Sequence, residues 1–186
     1  LDPAQLDKLD FFIAELKKRG IYTNLNLNVG RTYKPGDGVP DCELLGFAKA
    51  ITYFNPRLLD LQKEYARQLL THRNAYTGIE YRNEPAVAIV ELVNENSLVE
   101  SWFSGRLLGK NTRKNPGTWT DIPASYEEEL TELFNRWLRE KLSPQALADL
   151  RKEAGVSGDG LIARLSPTAF KEASKSRFAT EAAFYM

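Results

Sequence analysis

The stretch EPAVAIVELVNENS, residues 84–97, decides how this chain is read. After Pro85 it is almost wholly apolar as far as Val93, so it reads as a strand built for burial. It then stops on Asn94, Glu95, Asn96 and Ser97. A buried carboxylate is costly unless it is paired, neutral or needed for chemistry. An amide, a carboxylate and a second amide at the end of such a strand therefore call for an explanation, and the surrounding pattern supplies the frame for one.

Working outward, DPAQLDKLDFFIAELKKRG (2–20) offers Asp2 as an N-cap, Pro3 at the first helical position and Gly20 as the stop. Its Leu6, Leu9, Phe12, Ile13 and Leu16 predict one buried face. In IYTNLNLNV (21–29), Tyr22, Asn24, Asn26 and Asn28 alternate with the apolar positions, the period of a strand with one polar side. A long loop rich in Gly, Pro and Asp follows. Asn55 and Pro56 then open a second helix with Leu58, Leu59, Leu61, Tyr65, Leu69 and Leu70 as its stripe, and the strand of residues 87–93 comes next. Helix, strand, helix, strand is the signature of a parallel α/β sheet, with strands expected near 21–28 and 87–93. Beyond Ser97 the pattern turns helical. Ser125 and Glu128 form a capping box on a strong amphipathic helix, SPQALADLRKEAG closes on Gly155, and SPTAFKEASKSRFATEAAFYM predicts one more helix.

The 186 residues suffice for one core. With 25 basic and 25 acidic residues the chain carries no net charge, which argues against a general nucleic-acid or anionic-membrane binder. No stretch of apolar residues is long enough for a membrane span. Cys42 stands alone, so there is no internal disulfide and no zinc site of cysteines. Asp37, Asp41 and Glu43 share a loop, but their spacing matches no ligand pattern, and no metal or cofactor is expected. GVSGDG (155–160) follows a helix, so it is not a nucleotide loop. His72 is expected to cap the last carbonyls of its helix. Leu1 already lies in a helical pattern and EAAFYM still continues one, so a longer protein is expected.

Ligand sites of α/β proteins gather at the carboxyl ends of parallel strands, which is where Asn94 and Glu95 stand, as do Asn28 and Arg31. An apolar strand closing on Asn-Glu resembles the fourth barrel strand of clan A glycoside hydrolases, the retaining (β/α)8-barrel glycosidases. LKKRGIYTNLNLNVGR is similar to that clan's third strand with its preceding helix, and residues 54–97 are similar to the next helix, turn and strand. The resemblance covers about half of the chain. It implies a carbohydrate substrate, Glu95 as the acid/base and Asn94 on the sugar 2-hydroxyl. Asn28 and Arg31 would then line the site. It departs from the clan in one respect: the nucleophile should be a second glutamate on the seventh strand, and no later acidic residue here stands at a strand end. The remainder of the barrel would come from a longer chain.

The fold class expected is α/β, a partial (β/α)8 (TIM) barrel with a helical insertion after the strand ending at Glu95. Residues 1–97 would hold the barrel units, 98–165 the insertion, and 166–186 the start of the next barrel helix. The insertion is expected to wall the cleft through residues 98–124. Trp102 is the favoured sugar-stacking residue there, with Tyr33, Tyr53 and Trp119 as further candidates. Trp137 reads as core. Asn83 and Glu84 form a second Asn-Glu pair, but at the start of the strand, the face of a barrel associated with stability. Two other readings stay open: a carbohydrate-binding protein that has lost catalysis, and an interaction domain whose polar strand ends tie down loops. The compartment is not legible from the residues. The resemblance implies secreted or periplasmic action for members that attack polymers.

Overall fold

A computed structural model of the chain describes residues 1–114 and 120–186. The fold is α/β, dominated by helices, with a short two-stranded parallel sheet. Backbone contacts divide it into two units: Leu1–Arg31 with Pro56–Glu95, and Thr32–Asn55 with Asn96–Met186. The loop after the first expected strand thus groups with the C-terminal helices.

In the first unit, α1 (Pro3–Lys18) starts where Asp2 accepts the Ala4 and Gln5 N–H groups through its carboxylate. It ends through Gly20 at φ +70°, which lets the Gly20 and Ile21 amides turn back onto the Lys17 and Leu16 carbonyls. The strands β1 (Thr23–Asn26) and β2 (Val87–Glu91) pair in parallel, Leu25 beside Val90 and Asn26 beside Glu91. Between them in sequence lies α2 (Pro56–Leu70), which buries Leu58, Leu61 and Leu69 from the expected stripe. The core of this unit is Ile13, Leu25, Leu69 and Tyr81, with Leu6, Leu9, Leu27, Tyr65 and Val87 packed on it.

Two expectations for this unit are corrected. Phe12 is 57% exposed, whereas Asp10 is buried. The buried stripe is centred on Ile13; at 3.6 residues per turn Phe12 lies about 100° away from it, and Asp10 falls inside. His72 does not cap its helix with its ring. Its Nε2 sits 2.9 and 2.8 Å from the two Asp10 oxygens. The Tyr81 hydroxyl and the Ala75 N–H also donate to that carboxylate, and the Asn74 amide donates to the Asp10 carbonyl. A buried carboxylate so surrounded is satisfied, and it ties α1 to the segment leading into β2. Burial, then the Asp10 carboxylate, push the Tyr81 hydroxyl far above its usual range.

The second unit holds α3 (Leu98–Phe103), α4 (Ala124–Lys141), α5 (Pro144–Glu153) and α6 (Lys175–Tyr185), together with three short 3-10 turns in the 32–55 loop. Ser97 caps α3 by accepting the Glu100 N–H, and Ser143 caps α5. The capping box at Ser125 does not form. The helix starts one residue earlier, behind Pro123, and Ser125 donates its hydroxyl to Asp41 instead, at 2.6 Å. The last predicted helix is also broken. A 3-10 turn at Pro167–Ala169 precedes α6, which Ser174 restarts by accepting the Arg177 N–H.

Arg164 ties this unit together, donating to Thr131 Oγ1, Tyr185 Oη, the Leu107 carbonyl and Glu127. Next to it, both oxygens of the buried Glu181 carboxylate accept the Leu165 N–H, at 2.9 and 2.8 Å. Trp137 packs against the cluster of Phe134, Leu138, Leu150 and Ile162, as read from the sequence. Among the described residues no helix is long and apolar enough to cross a membrane.

Candidate active site

At the carboxyl end of β2 the chain runs on through Leu92 and Val93 to the Asn-Glu pair. The Asn94 N–H donates to the Asn28 carbonyl at 3.1 Å, continuing the strand pairing one step past β1. Two strand ends carrying Asn28 and Asn94 are therefore side by side. The Asn28 side chain is held from below by α2, its Nδ2 donating to Gln62 Oε1 at 2.9 Å, while its N–H donates to Asn26 Oδ1. Asn28 is thus a fixed element of the strand end. Asn94 and Arg31 are half-buried at this end, and Glu95 is exposed.

Glu95 has a left-handed backbone, φ +45°. This is a conformation that glycine, asparagine and aspartate enter readily and glutamate does not, at a typical penalty of about 1–2 kcal/mol. Such residues cluster at functional sites, where the surrounding structure over-determines them.

The other Asn-Glu pair has a different character. Glu84 is buried at the start of β2, ion-paired with Lys17 at 2.8 Å and accepting the Ala86 N–H. Burial works to raise its pKa, but the Lys17 ammonium and the Ala86 N–H outweigh it and hold the carboxyl below its usual range. It is an ionised clamp between α1 and β2.

The aromatic candidates separate sharply. Trp102 is 2% exposed, ringed by Phe103, Phe170, Phe178 and Tyr185 at centroid distances of 4.8–5.1 Å. Its Nε1–H donates to the Leu165 carbonyl. It is the centre of an aromatic core, with no ring face open to a sugar. Tyr33 is buried as well, whereas Tyr53 keeps 41% of its surface exposed. Trp119 lies outside the described residues.

Sequence reasoning gave Asn96 no task of its own. In the structure its side chain and carbonyl make three hydrogen bonds to the 50–53 segment. The only signal for this in the sequence was the second amide of the Asn-Glu-Asn run.

Comparison with known proteins points the same way as the strand end. Over 106 residues the chain is 31% identical to mannan endo-1,4-beta-mannosidase 5 of Arabidopsis thaliana, which is 51% of this chain and 25% of that protein. It is 32% identical to mannan endo-1,4-beta-mannosidase 2 of the same plant over 106 residues, 51% of this chain and 24% of the relative. A 43-residue match, 42% identical, links 23% of the chain to 10% of mannan endo-1,4-beta-mannosidase 2 of Oryza sativa subsp. japonica. No family model matches the chain, and no solved structure matches it significantly. The chain spans about a quarter of the length of the first two of these relatives. Over about half of its own residues, then, this chain is similar to proteins named endo-β-mannosidases, which supports its resemblance to clan A glycoside hydrolases.

Proposed function

We propose that this chain is part of a glycoside hydrolase acting on a β-linked polysaccharide with retention of configuration. Glu95 protonates the glycosidic oxygen as the bond breaks and later takes the proton from the attacking water. Asn94 holds the sugar 2-hydroxyl, a contact that strengthens as the ring becomes oxocarbenium-like. Asn28 and Arg31 stand at the neighbouring strand end as further substrate-binding groups. The second carboxylate, the nucleophile, lies outside this chain. Trp102 is left out of the binding set, because its ring is enclosed. The names of the relatives make β-1,4-mannan the first substrate to assay.

One observation carries this reading. The Asn94–Glu95 pair follows the carboxyl end of a strand paired in parallel with its predecessor, and Asn94 is bonded to the end of that predecessor. Carboxyl ends of parallel strands are where α/β barrels place their catalytic groups. The barrel itself is part of the proposal, and the exposure of β2 supports it. Ile89 and Val90 are 59% and 37% exposed on a strand whose composition suits burial on both faces, and Leu92 just past it is 71% exposed. A two-stranded sheet has edges on both sides, and further parallel strands would cover them. On this reading the helices beyond Ser97 are an insertion that follows the strand ending at Glu95.

The test is Glu95→Gln in the full-length protein. It should keep the shape and lower turnover of β-1,4-mannan about 10²–10⁴-fold, the usual contribution of a general acid. The loss should shrink on aryl glycosides whose leaving groups need little protonation. Full activity of Glu95→Gln on mannan would remove Glu95 from the mechanism.

A further inference from the structure

We infer that the helical unit carries a binding site of its own for a single neutral sugar ring, in a cavity walled by the Arg164–Glu127 ion pair. None of its residues belongs to the strand end, and its occupation does not require Glu95 to be an acid/base.

The cavity measures about 300 Å³ and is lined by Trp102, Leu107, Leu108, Glu127, Arg164 and Leu165. That is the lower end of the range for small-molecule sites, roughly 300–1,000 Å³, and suits one ring better than a chain of them. Its walls are fixed. The Leu107 carbonyl accepts an N–H of Arg164, and the Leu108 and Lys110 N–H groups donate to the Asp121 carboxylate at 2.7 and 2.8 Å. Between them Gly109 has φ +72°, and a Cβ there would lie 2.7 Å from the Glu127 Cβ. Only glycine lets this loop take that turn so close against α4. The pocket is therefore shaped before any ligand arrives, which spares binding the cost of ordering it.

The polar groups on the wall select the ligand. The Arg164 side chain is only 4% exposed, and it spends its Nε–H, both Nη2–H and one Nη1–H on Thr131, Leu107, Glu127 and Tyr185. A guanidinium has five N–H donors, so the second Nη1–H is left without an acceptor among the described residues. On Glu127, Oε1 accepts from Arg164 and from the Thr131 hydroxyl, and Oε2 has no donor among the described residues. One cavity is thus bordered by two ion-paired residues, one with a donor to spare and the other with an acceptor. A vicinal diol answers both, one hydroxyl accepting and its neighbour donating. The leucine side chains and the edge of Trp102 cover the C–H faces of a ring, as apolar and aromatic walls do in carbohydrate sites. The charges cancel, and the Glu127 carboxylate opposes a phosphate or carboxylate ligand at the same wall. A cavity with polar walls holds ordered water, and ring hydroxyls can take over the bonds of the waters they displace.

The experiment follows amide exchange at Leu108 and Leu165 in the full-length protein, with methyl β-D-mannopyranoside as one probe and inorganic phosphate as the other. The glycoside should bind with a Kd on the order of 1–10 mM, the range of a small ligand held by a few polar groups. At about ten times that concentration exchange at both amides should slow about 10-fold, by mass action, and Glu95→Gln should show the same slowing. Phosphate should have no effect. Leu108→Trp fills the cavity while leaving the bonds of Arg164 in place, and should abolish the response to the glycoside. Glu127→Gln removes the negative charge and covers the case in which Leu108→Trp does not fold. In it the glycoside should bind more weakly and phosphate should begin to protect the same amides. No protection of Leu108 and Leu165 by up to about 100 mM glycoside, well above the expected Kd, would overturn the assignment. So would protection that persists in Leu108→Trp, unchanged responses in Glu127→Gln, or phosphate protecting the parent as well as the glycoside does.

Discussion

Replacing Glu181 by glutamine should abolish a pH dependence that the helical unit carries between about pH 4.5 and 7. Glu181 is 1% exposed. Burial raises its pKa from 4.5 to about 7, against the pull of the Leu165 N–H, the Arg164 charge, the Tyr185 hydroxyl and Arg177. The folded value lies above the unfolded one, so the stabilisation is fully present below pH 4.5 and is lost as pH rises through about 7. At about 1.4 kcal/mol per pH unit, the span corresponds to roughly 3 kcal/mol. Glu84, whose burial is outweighed by Lys17 and the Ala86 N–H, and Glu153, held down by the Ser174 N–H and hydroxyl, sit below 4.5 and lose their contribution only at lower pH. The assay is amide-exchange protection of Leu165 and of α6 in the full-length protein, from pH 4.5 to 8, compared between the parent and Glu181→Gln. Protection should fall on the order of 10²-fold across the window in the parent and stay flat in Glu181→Gln, the equivalent of roughly 3 kcal/mol. Identical profiles for the two proteins would refute the reasoning.

Asp10→Ala should destabilise the full-length protein by about 3–5 kcal/mol in denaturant unfolding, because His72, Tyr81 and the Ala75 N–H lose a shared buried acceptor; a loss under about 1 kcal/mol would show that water replaces the carboxylate. Glu95→Gly should abolish turnover of β-1,4-mannan yet raise stability by up to about 1 kcal/mol, since glycine enters the left-handed region without strain. A destabilised Glu95→Gly would mean that the glutamate side chain itself holds the fold.

The features legible in the sequence are local ones. Asp2 and Gly20 each follow from residues within a few positions of one another, where capping geometry acts directly, and the alternation of helix and strand follows from side-chain period. What escaped were side chains whose partners are remote. Asp10 meets His72 and Tyr81 across 62 and 71 positions, and in the pattern it reads only as an interruption of an apolar face. Phe12 went the other way, because hydrophobicity alone did not tell which side of the stripe's edge it fell on. The capping box at Ser125 was sound local chemistry, overridden when Asp41, 84 residues away, took its hydroxyl. Trp102 shows the same limit at the candidate site. Closeness to Glu95 in sequence suggested a stacking platform, yet the ring found better partners in Phe170, Phe178 and Tyr185.

The proposed role of Glu95 makes the choice of residue at position 95 informative. A chain that must turn sharply after a strand is served best by glycine or asparagine, both of which take positive φ with little penalty. Asparagine stands on either side of Glu95, at 94 and 96, and glycine serves the left-handed sites at Gly20, Gly38 and Gly78 of the same chain. Position 95 alone in this run combines the left-handed turn with a side chain ill suited to it. A purely structural turn would gain stability from exchanging Glu95 with either neighbour's residue type. On the proposed reading the carboxylate stands at position 95 against the local conformational preference. The Asn94 N–H, donating to the Asn28 carbonyl, holds the backbone just before it, which is what a strained group needs if its placement matters more than its stability. Glu95→Asn isolates that trade: it should fold at least as stably as the parent and lose the acid. A protein that keeps its activity on mannan with asparagine at 95 would show that the turn, and not the carboxylate, is what this strand end is for.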